Sequence, residues 1–274
     1  MPPELPPNFQ PDAYSGLVDD YVRYRVPYPP AMLEEMLARV ALPSSPRLLD
    51  LACGPGRLTL AIAPRFAEVL AVDQEPDMVA AGARLAAERG LTQIRWKVGR
   101  VEDLALAAGS FQLVTAAEAF HRMEQAKVAA AVFSWLAPGG AFVTMGFEPA
   151  TGGGTRWRRV LADVVQRYVG TPAQRLGDAP GAPPPADPVG DQNRVQRAAG
   201  FDPVEDFSVV VAHEWTLEAL LGNLRSLSIT SPRALGERHR AFEADLSAAL
   251  RAFDPAGRYV EDLRCGYTVA RKPL

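Results

Sequence analysis

The sequence predicts an α/β fold: a Rossmann-like, mostly parallel sheet with helices on both faces. Three observations carry that expectation. Short apolar runs alternate with helical stretches from about residue 30 to 146, the rhythm of right-handed crossovers in a parallel sheet. The first run, Leu48-Leu49-Asp50-Leu51, leads into a glycine turn, Ala52-Cys53-Gly54-Pro55-Gly56, and a helical pattern opens straight after it. Seventeen residues past Gly56, a second run, Val69-Leu70-Ala71-Val72, ends in an acid, Asp73. In a doubly wound sheet this arrangement holds a nucleoside-bearing ligand at the carboxyl ends of the strands. Glycine lets backbone approach the ligand closely, and the acid accepts both ribose hydroxyls.

The elements follow in order. Residues 1–13 are Pro-rich and expected to be disordered, ahead of a single domain over 14–274. Tyr14 to Arg25 is aromatic and amphipathic, a short helix. From Pro30 to Val40, Met32, Leu33, Met36, Leu37 and Val40 fall on one helical face, with Pro30 in the first turn. Strands are expected at Arg47–Leu51, Val69–Asp73, Ile94–Val98, Phe111–Ala117 and Ala141–Gly146, the last entered through a Pro138-Gly139-Gly140 turn. Helices are expected at Leu58–Phe66, Asp77–Arg89 and Lys127–Leu136; Gly82 weakens the second, which Gly90 stops. The rhythm then changes. A helix from Trp157 to Tyr168 precedes Thr171–Gly190, which holds six prolines and reads as a lid or linker. Late strands at Phe207–Ala212 and Tyr259–Ala270 flank helices at Thr216–Leu227 and Ala234–Phe253.

Composition excludes several classes of function. At 274 residues with 48% hydrophobic and 22% charged residues, the chain suits one sizeable core. A net charge of −3 argues against phosphate-driven nucleic-acid binding. Two isolated cysteines and three scattered histidines give neither a disulfide framework nor a metal site. No leader pattern or membrane-length apolar run is present, so the expected place is the cytoplasm, with no membrane partner.

The glycine turn discriminates between ligands. Gly54-Pro55-Gly56-Arg57-Leu58-Thr59 lacks the third glycine of a dinucleotide fingerprint, and no lysine follows as in a phosphate-binding loop. The spacing acid-x-x-x-Gly-x-Gly resembles instead the first motif of the class I S-adenosylmethionine-dependent methyltransferases, with Ala52 where that family usually has glycine. The resemblance implies S-adenosyl-L-methionine as cofactor and Asp73 as its ribose acid. It also implies a seven-stranded sheet ending in a hairpin whose last strand is antiparallel, with a helical cap inserted after strand five (elements around 150–200 and 213–240).

Three further segments extend the likeness. Val98-Gly99-Arg100-Val101-Glu102 resembles the family's adenine loop. Phe111 to His121, ending Glu118-Ala119-Phe120-His121, is similar to the small-molecule methyltransferases related to trans-aconitate methyltransferase, with Gln112 and Arg122 replacing that group's Asp and Trp. Tyr21 to Pro29 resembles the same group's Tyr-x-x-x-Arg-Pro-x-Tyr-Pro, which makes Tyr21 and Arg25 candidates for the methionine end. The implied cofactor set is therefore Tyr21, Arg25, Asp50, Ala52, Cys53, Gly54, Gly56, Asp73, Gln74, Met78, Val101, Glu102 and Glu118. The expected acceptor is a small, partly apolar molecule, of the kind met in secondary metabolism.

Methyl transfer from a sulfonium is an in-line displacement, so alignment supplies much of the catalysis. A base is needed only if the acceptor loses a proton, and His121, just past strand four, is the candidate. O-methylation is slightly favoured over N- or C-methylation. Two alternatives stand beside this reading: a non-methylating member of the fold, and a nicotinamide-dependent oxidoreductase, which the missing glycine disfavours.

Overall fold

The structure, a computed structural model, describes residues 14–147, 154–170 and 188–274. The expected tail at 1–13, and all but the end of the expected lid at 171–190, lie outside the described residues. The sheet has seven strands in the order β3-β2-β1-β4-β5-β7-β6. These are β1 (Arg47–Leu51), β2 (Glu68–Asp73), β3 (Ile94–Val98), β4 (Phe111–Ala117), β5 (Leu136–Phe147), β6 (Val204–Thr216) and β7 (Arg258–Arg271). β1 to β5 pair in parallel, and β7 runs antiparallel to both neighbours. The order reverses between β1 and β4, which opens a crevice at their carboxyl ends.

Alternation along each strand divides the core in two. Leu48 belongs to one apolar cluster and its neighbour Leu49 to the other, as do Ala71 and Val72. The first cluster is covered by α2 (Pro30–Val40), α3 (Arg57–Ile62) and α4 (Pro76–Glu88); the second lies under α5 (Gln125–Trp135). Gly82 sits mid-helix in α4 for a packing reason. A Cβ there would stand 2.4 Å from the Trp96 indole, which lies against that face of the helix.

The structure departs from expectation where tertiary pairing overrides local signals. Pro138-Gly139-Gly140 does not precede the fifth strand. Pairing jumps from Phe111 with Leu136 to Leu113 with Ala141, so the segment is an irregularity within β5. β6 is 13 residues long because it follows β7 for its whole length, well beyond the expected Phe207–Ala212. Beyond α6 (Arg156–Val169), an unforeseen helix, α7, spans Pro188–Ala198. The long helix expected at 234–253 is broken at Gly236, in a left-handed conformation (φ 57°), into α9 (Pro232–Leu235) and α10 (His239–Phe253). α8 (Leu217–Arg225) starts where Thr216 caps it, its hydroxyl accepting the Ala219 N–H at 3.1 Å.

A third apolar cluster joins α6, α8 and α10 to the far ends of β6 and β7 around Trp215 and Tyr259. A buried charge pair sits within it. Arg158 of α6 and Glu261 of β7 are 4% and 2% exposed, and the Arg158 Nε donates to Glu261 Oε2. Trp215 Nε1 donates to the other oxygen at 2.5 Å, so both carboxylate oxygens are engaged. Removing the carboxylate takes the Glu261 partner from a buried cation and an acceptor from an indole N–H. Glu261→Ala is therefore expected to cost about 3–5 kcal/mol in urea unfolding; a loss below about 1 kcal/mol would show that water reaches the pair.

Candidate functional site

At the crevice lies a cleft enclosing about 750 Å³ of space that opens to solvent. Its floor is the β1 turn. Ala52, Gly54 and Gly56 all take left-handed conformations (φ 49°, 56° and 80°). Ala52 therefore holds a conformation that glycine adopts without strain, which is why its resembling family places glycine there; the alanine costs on the order of 1–2 kcal/mol. The turn is closed by Asp73. Its Oδ2 accepts the Gly54 N–H at 2.7 Å and its Oδ1 accepts the Glu75 N–H at 2.9 Å. Burial raises the Asp73 pKa, and those two amide bonds oppose the rise. The carboxylate is thus fixed in direction at the wall of the cleft.

Gln74, Met78, Val101 and Glu102 continue the lining from β2, α4 and the loop after β3. Glu102 is held there from two sides. Its Oε1 accepts the Glu124 N–H at 3.2 Å and its Oε2 lies 3.5 Å from Arg100. At the opposite end stands Glu118, whose backbone is also left-handed (φ 56°). Its amide donates to the Met145 carbonyl at 2.8 Å, and its Oε1 accepts the Phe147 N–H at 2.5 Å. Burial raises the Glu118 pKa, while the charges of Arg25 and Arg57 lower it.

One strap crosses the mouth of the cleft. Tyr14 and Tyr21, in edge-to-face contact with ring centres 5.9 Å apart, both line it, Tyr21 from α1 (Val18–Tyr24). Tyr14 is moored by its N–H to Glu75 (3.3 Å) and by its hydroxyl, which accepts from Arg122 (3.0 Å). The other end is moored on α8. Tyr24 donates to Glu218 at 2.8 Å, and its ring lies so close to Gly222 that a Cβ there would stand 2.2 Å from it.

Of the residues expected in the cofactor set, the cleft therefore gathers Tyr21, Ala52, Gly54, Asp73, Gln74, Met78, Val101, Glu102 and Glu118. The others stand outside its lining. Arg25 clamps the strap, donating from Nε to the Ser226 hydroxyl (2.8 Å) and from Nη2 to its carbonyl (2.9 Å), with its guanidinium over the Tyr21 ring. Gly56 has a packing role, since a Cβ there would meet Trp96 at 2.5 Å. Asp50 and Cys53 border a smaller adjoining cavity. Asp50 lies wholly within the core and accepts from the hydroxyls of Thr59 (2.5 Å) and Thr115 (2.7 Å). His121 is an exposed residue in the turn that carries Arg122.

Tyr14, Glu75, Arg122 and Met123 line the cleft without having been singled out for it. Only Arg122 carried a signal, as the replacement for a resembling group's tryptophan. Among the described residues no cluster of side chains could hold a metal ion.

The cleft thus lies at a topological switch point with a pinned acid at the tip of β2, the place where α/β sheets hold ligands. Residues 48–140 match a family described as a methyltransferase domain. Over 113 residues the chain is 41% identical to a ubiquinone biosynthesis O-methyltransferase of Xanthomonas campestris, covering 40% of this chain and 46% of that one. The chain thus spans about half the length of that relative. It is 29% identical over 224 residues to an uncharacterized methyltransferase of Mycobacterium bovis, covering 80% and 79% of the two chains. The YcgJ protein of Bacillus subtilis shares the fold, with a TM-score of 0.58 at 16% identity over 89% of this chain and 99% of that one. Residues 48–140, which supply much of the cleft, are thus similar to a methyltransferase domain.

Two outcomes test this geometry. Burial pushes the Asp50 carboxyl up to about 6, against its two threonine hydrogen bonds. The folded state then holds that proton more tightly than the unfolded chain, so Asp50 makes stability fall as pH rises from about 4 through 6. Asp50→Asn should remove that contribution in urea unfolding at pH 4.5 and 7.5; an unaltered pH slope would assign it elsewhere. Gly222→Ala should weaken ligand binding without touching the cleft, because the new methyl displaces Tyr24 and with it the strap. Unchanged affinity in that variant, measured by titration calorimetry, would mean that the strap does not order the site.

Proposed function

We propose that the protein transfers a methyl group from S-adenosyl-L-methionine to a small molecule, with oxygen favoured as the acceptor atom. The observation that carries this reading is Asp73, pinned by backbone amides of Gly54 and Glu75 at the wall of the cleft. That is the geometry needed to accept two adjacent ribose hydroxyls. Met78 and Val101 offer apolar surface for a base, with Glu102 as an acceptor beside them. Glu118 at the far end suits an ammonium group. When bound, the cofactor supplies an electrophilic methyl group with a neutral sulfide as leaving group. The methyltransferase-domain match supports methyl transfer, and the similarity to the Xanthomonas O-methyltransferase supports oxygen as the acceptor atom.

The chain's own contribution is alignment and exclusion of water: the strap carrying Tyr14 and Tyr21 covers the ligand, and the pinned carboxylates fix its ends. For a hydroxyl acceptor, we propose His121 as the base. Its surroundings and the adjacent Arg122 charge lower its pKa, so the ring is neutral at neutral pH, the form that can take a proton. Both cysteines are free thiols, which fits a reducing, cytoplasmic setting. No helix among the described residues is long and apolar enough to cross a membrane.

Asp73→Ala should weaken S-adenosylhomocysteine binding by about 1–3 kcal/mol in calorimetry, since buried hydroxyls lose their acceptor. Wild-type affinity in that variant would remove Asp73 from the site. Incubating the protein with an isotopically labelled methyl donor and producer extract should yield a labelled small molecule by mass spectrometry. Donor binding with no labelled product from any extract would favour a non-methylating member of the fold. His121→Ala should lower kcat by about 10²–10⁴-fold with donor affinity intact, and the wild-type rate should fall as pH drops through the imidazole pKa. A retained rate with a flat profile would leave His121 a surface residue.

A further inference from the structure

The sheet has two edges, and they are built differently. β3 closes one of them in 5 residues and exposes Arg95 and Lys97 on it, charges that keep an edge from pairing with another chain. β6 forms the other. It runs for 13 residues without a lysine, a proline or a shift of register against β7. Two hydrogen bonds fix which way its backbone faces. Arg271 donates to the Pro203 carbonyl at 3.0 Å and Leu217 to the Gly257 carbonyl at 3.0 Å, so the odd-numbered residues of β6 bond to β7. The even-numbered residues therefore turn their N–H and C=O groups outward. Among the described residues these groups make no hydrogen bond from Asp206 to Glu214. α7 reaches only the start of the edge, where Arg197 donates to the Val204 carbonyl at 3.0 Å.

The side chains along this edge suit a second strand. On the face away from the core stand Ser208, Val210, Ala212 and Glu214, all exposed, Val210 by 52%. Charges at the two ends are already matched inside the ribbon. Asp206 accepts from Asn193 and Thr268, both at 2.6 Å, and Glu214 is paired with Arg258. Between them lies Ser208-Val209-Val210-Val211-Ala212, uncharged and rich in valine, a composition that favours strand pairing.

We propose that the outer edge of β6 is a homodimer interface, in which a second copy of this chain adds its own β6 across a two-fold axis and the two sheets become one. A two-fold normal to the sheet pairs a strand with itself in the antiparallel sense. Outward groups must meet outward groups, so even-numbered residues pair with even-numbered ones. The longest such overlap, centred on Val210, sets Asp206 opposite the partner's Glu214 and brings like charges together. Centred on Val211, the strands instead pair Val210 with Ala212, Ser208 with Glu214 and Phe207 with Trp215. No like charges then meet, and the last pair is aromatic. Backbone alone would accept any extended peptide; the matched side chains in this register select a second copy.

Light scattering of the full-length protein across micromolar concentrations, with hydrogen exchange on the same samples, tests the interface. Twice the chain mass is expected, with slow exchange at the even-numbered amides of 206–214 that speeds up on dilution. Ala212→Pro removes one outward N–H and leaves the ladder to β7 intact. It should weaken the dimer by about 10-fold or more while circular dichroism shows a folded chain. Val210→Lys alters a side chain that solvent already reaches, sets like charges near the axis and should have the same effect. It decides the matter if Ala212→Pro misfolds. A wild type that is monomeric at every concentration overturns the proposal, and slow edge amides in that monomer would assign the edge to the protein's own chain. A dimer that both variants leave intact overturns it as well, since the interface then lies elsewhere.

Discussion

The hydrogen bond from the Gly54 amide to Asp73 joins two things that a parallel sheet must otherwise hold apart: the turn leaving one strand and the tip of its neighbour. Three left-handed residues within five positions give the turn its shape, and the acid at the tip of β2 holds it. Burial of that acid works against its charge, so the two backbone amides both position it and keep it usable. The rest follows from this fixed corner. α3 departs from the turn, α4 from Glu75, and Trp96 fills the angle between them, against Gly56 and Gly82. Glycines at both positions are what allow one indole to pack the two helices together.

The opposite end of the cleft is built by other means. Glu118 takes a conformation unfavourable for a side-chain-bearing residue and is stabilised there by bonds to the backbone of β5. The strap above it is held by remote partners: Tyr14 by Glu75 and Arg122, Tyr24 by Glu218, Arg25 by Ser226. This half therefore depends on α8 and on chain that folds around β6 and β7. The half around Asp73 draws mainly on the first three strands and their helices, with Glu124 beyond β4 holding Glu102.

That difference explains what was legible in the sequence. Asp73, Gly54 and Glu102 were readable because each lies at a fixed distance from a strand end, and the strand ends are marked by apolar runs. β1, β3 and β4 fall on their expected bounds for the same reason. Where a contact comes from far along the chain, local pattern fails. β6 alternates exposed and half-buried residues, and only its pairing with β7 shows how far it runs. Arg25 looks like a ligand residue in sequence, yet the serine it clamps lies 201 positions away. Asp50 reads as part of a binding motif, and the structure commits it to two threonines of the core.

The two halves also divide the chemistry. Members of one fold carry out different reactions, so the part that recognises a shared cofactor says little about the acceptor. Here the residues read most directly from sequence are those of the shared half. The opposite end, where the strap meets Glu118, is built from residues far apart in the chain. Its charges are held differently: Glu118 accepts a backbone amide and lies in the field of Arg57, whose guanidinium faces the Tyr28 ring. Local sequence pattern therefore reads the corner around Asp73 far better than the end around Glu118, whose neighbours come from distant segments.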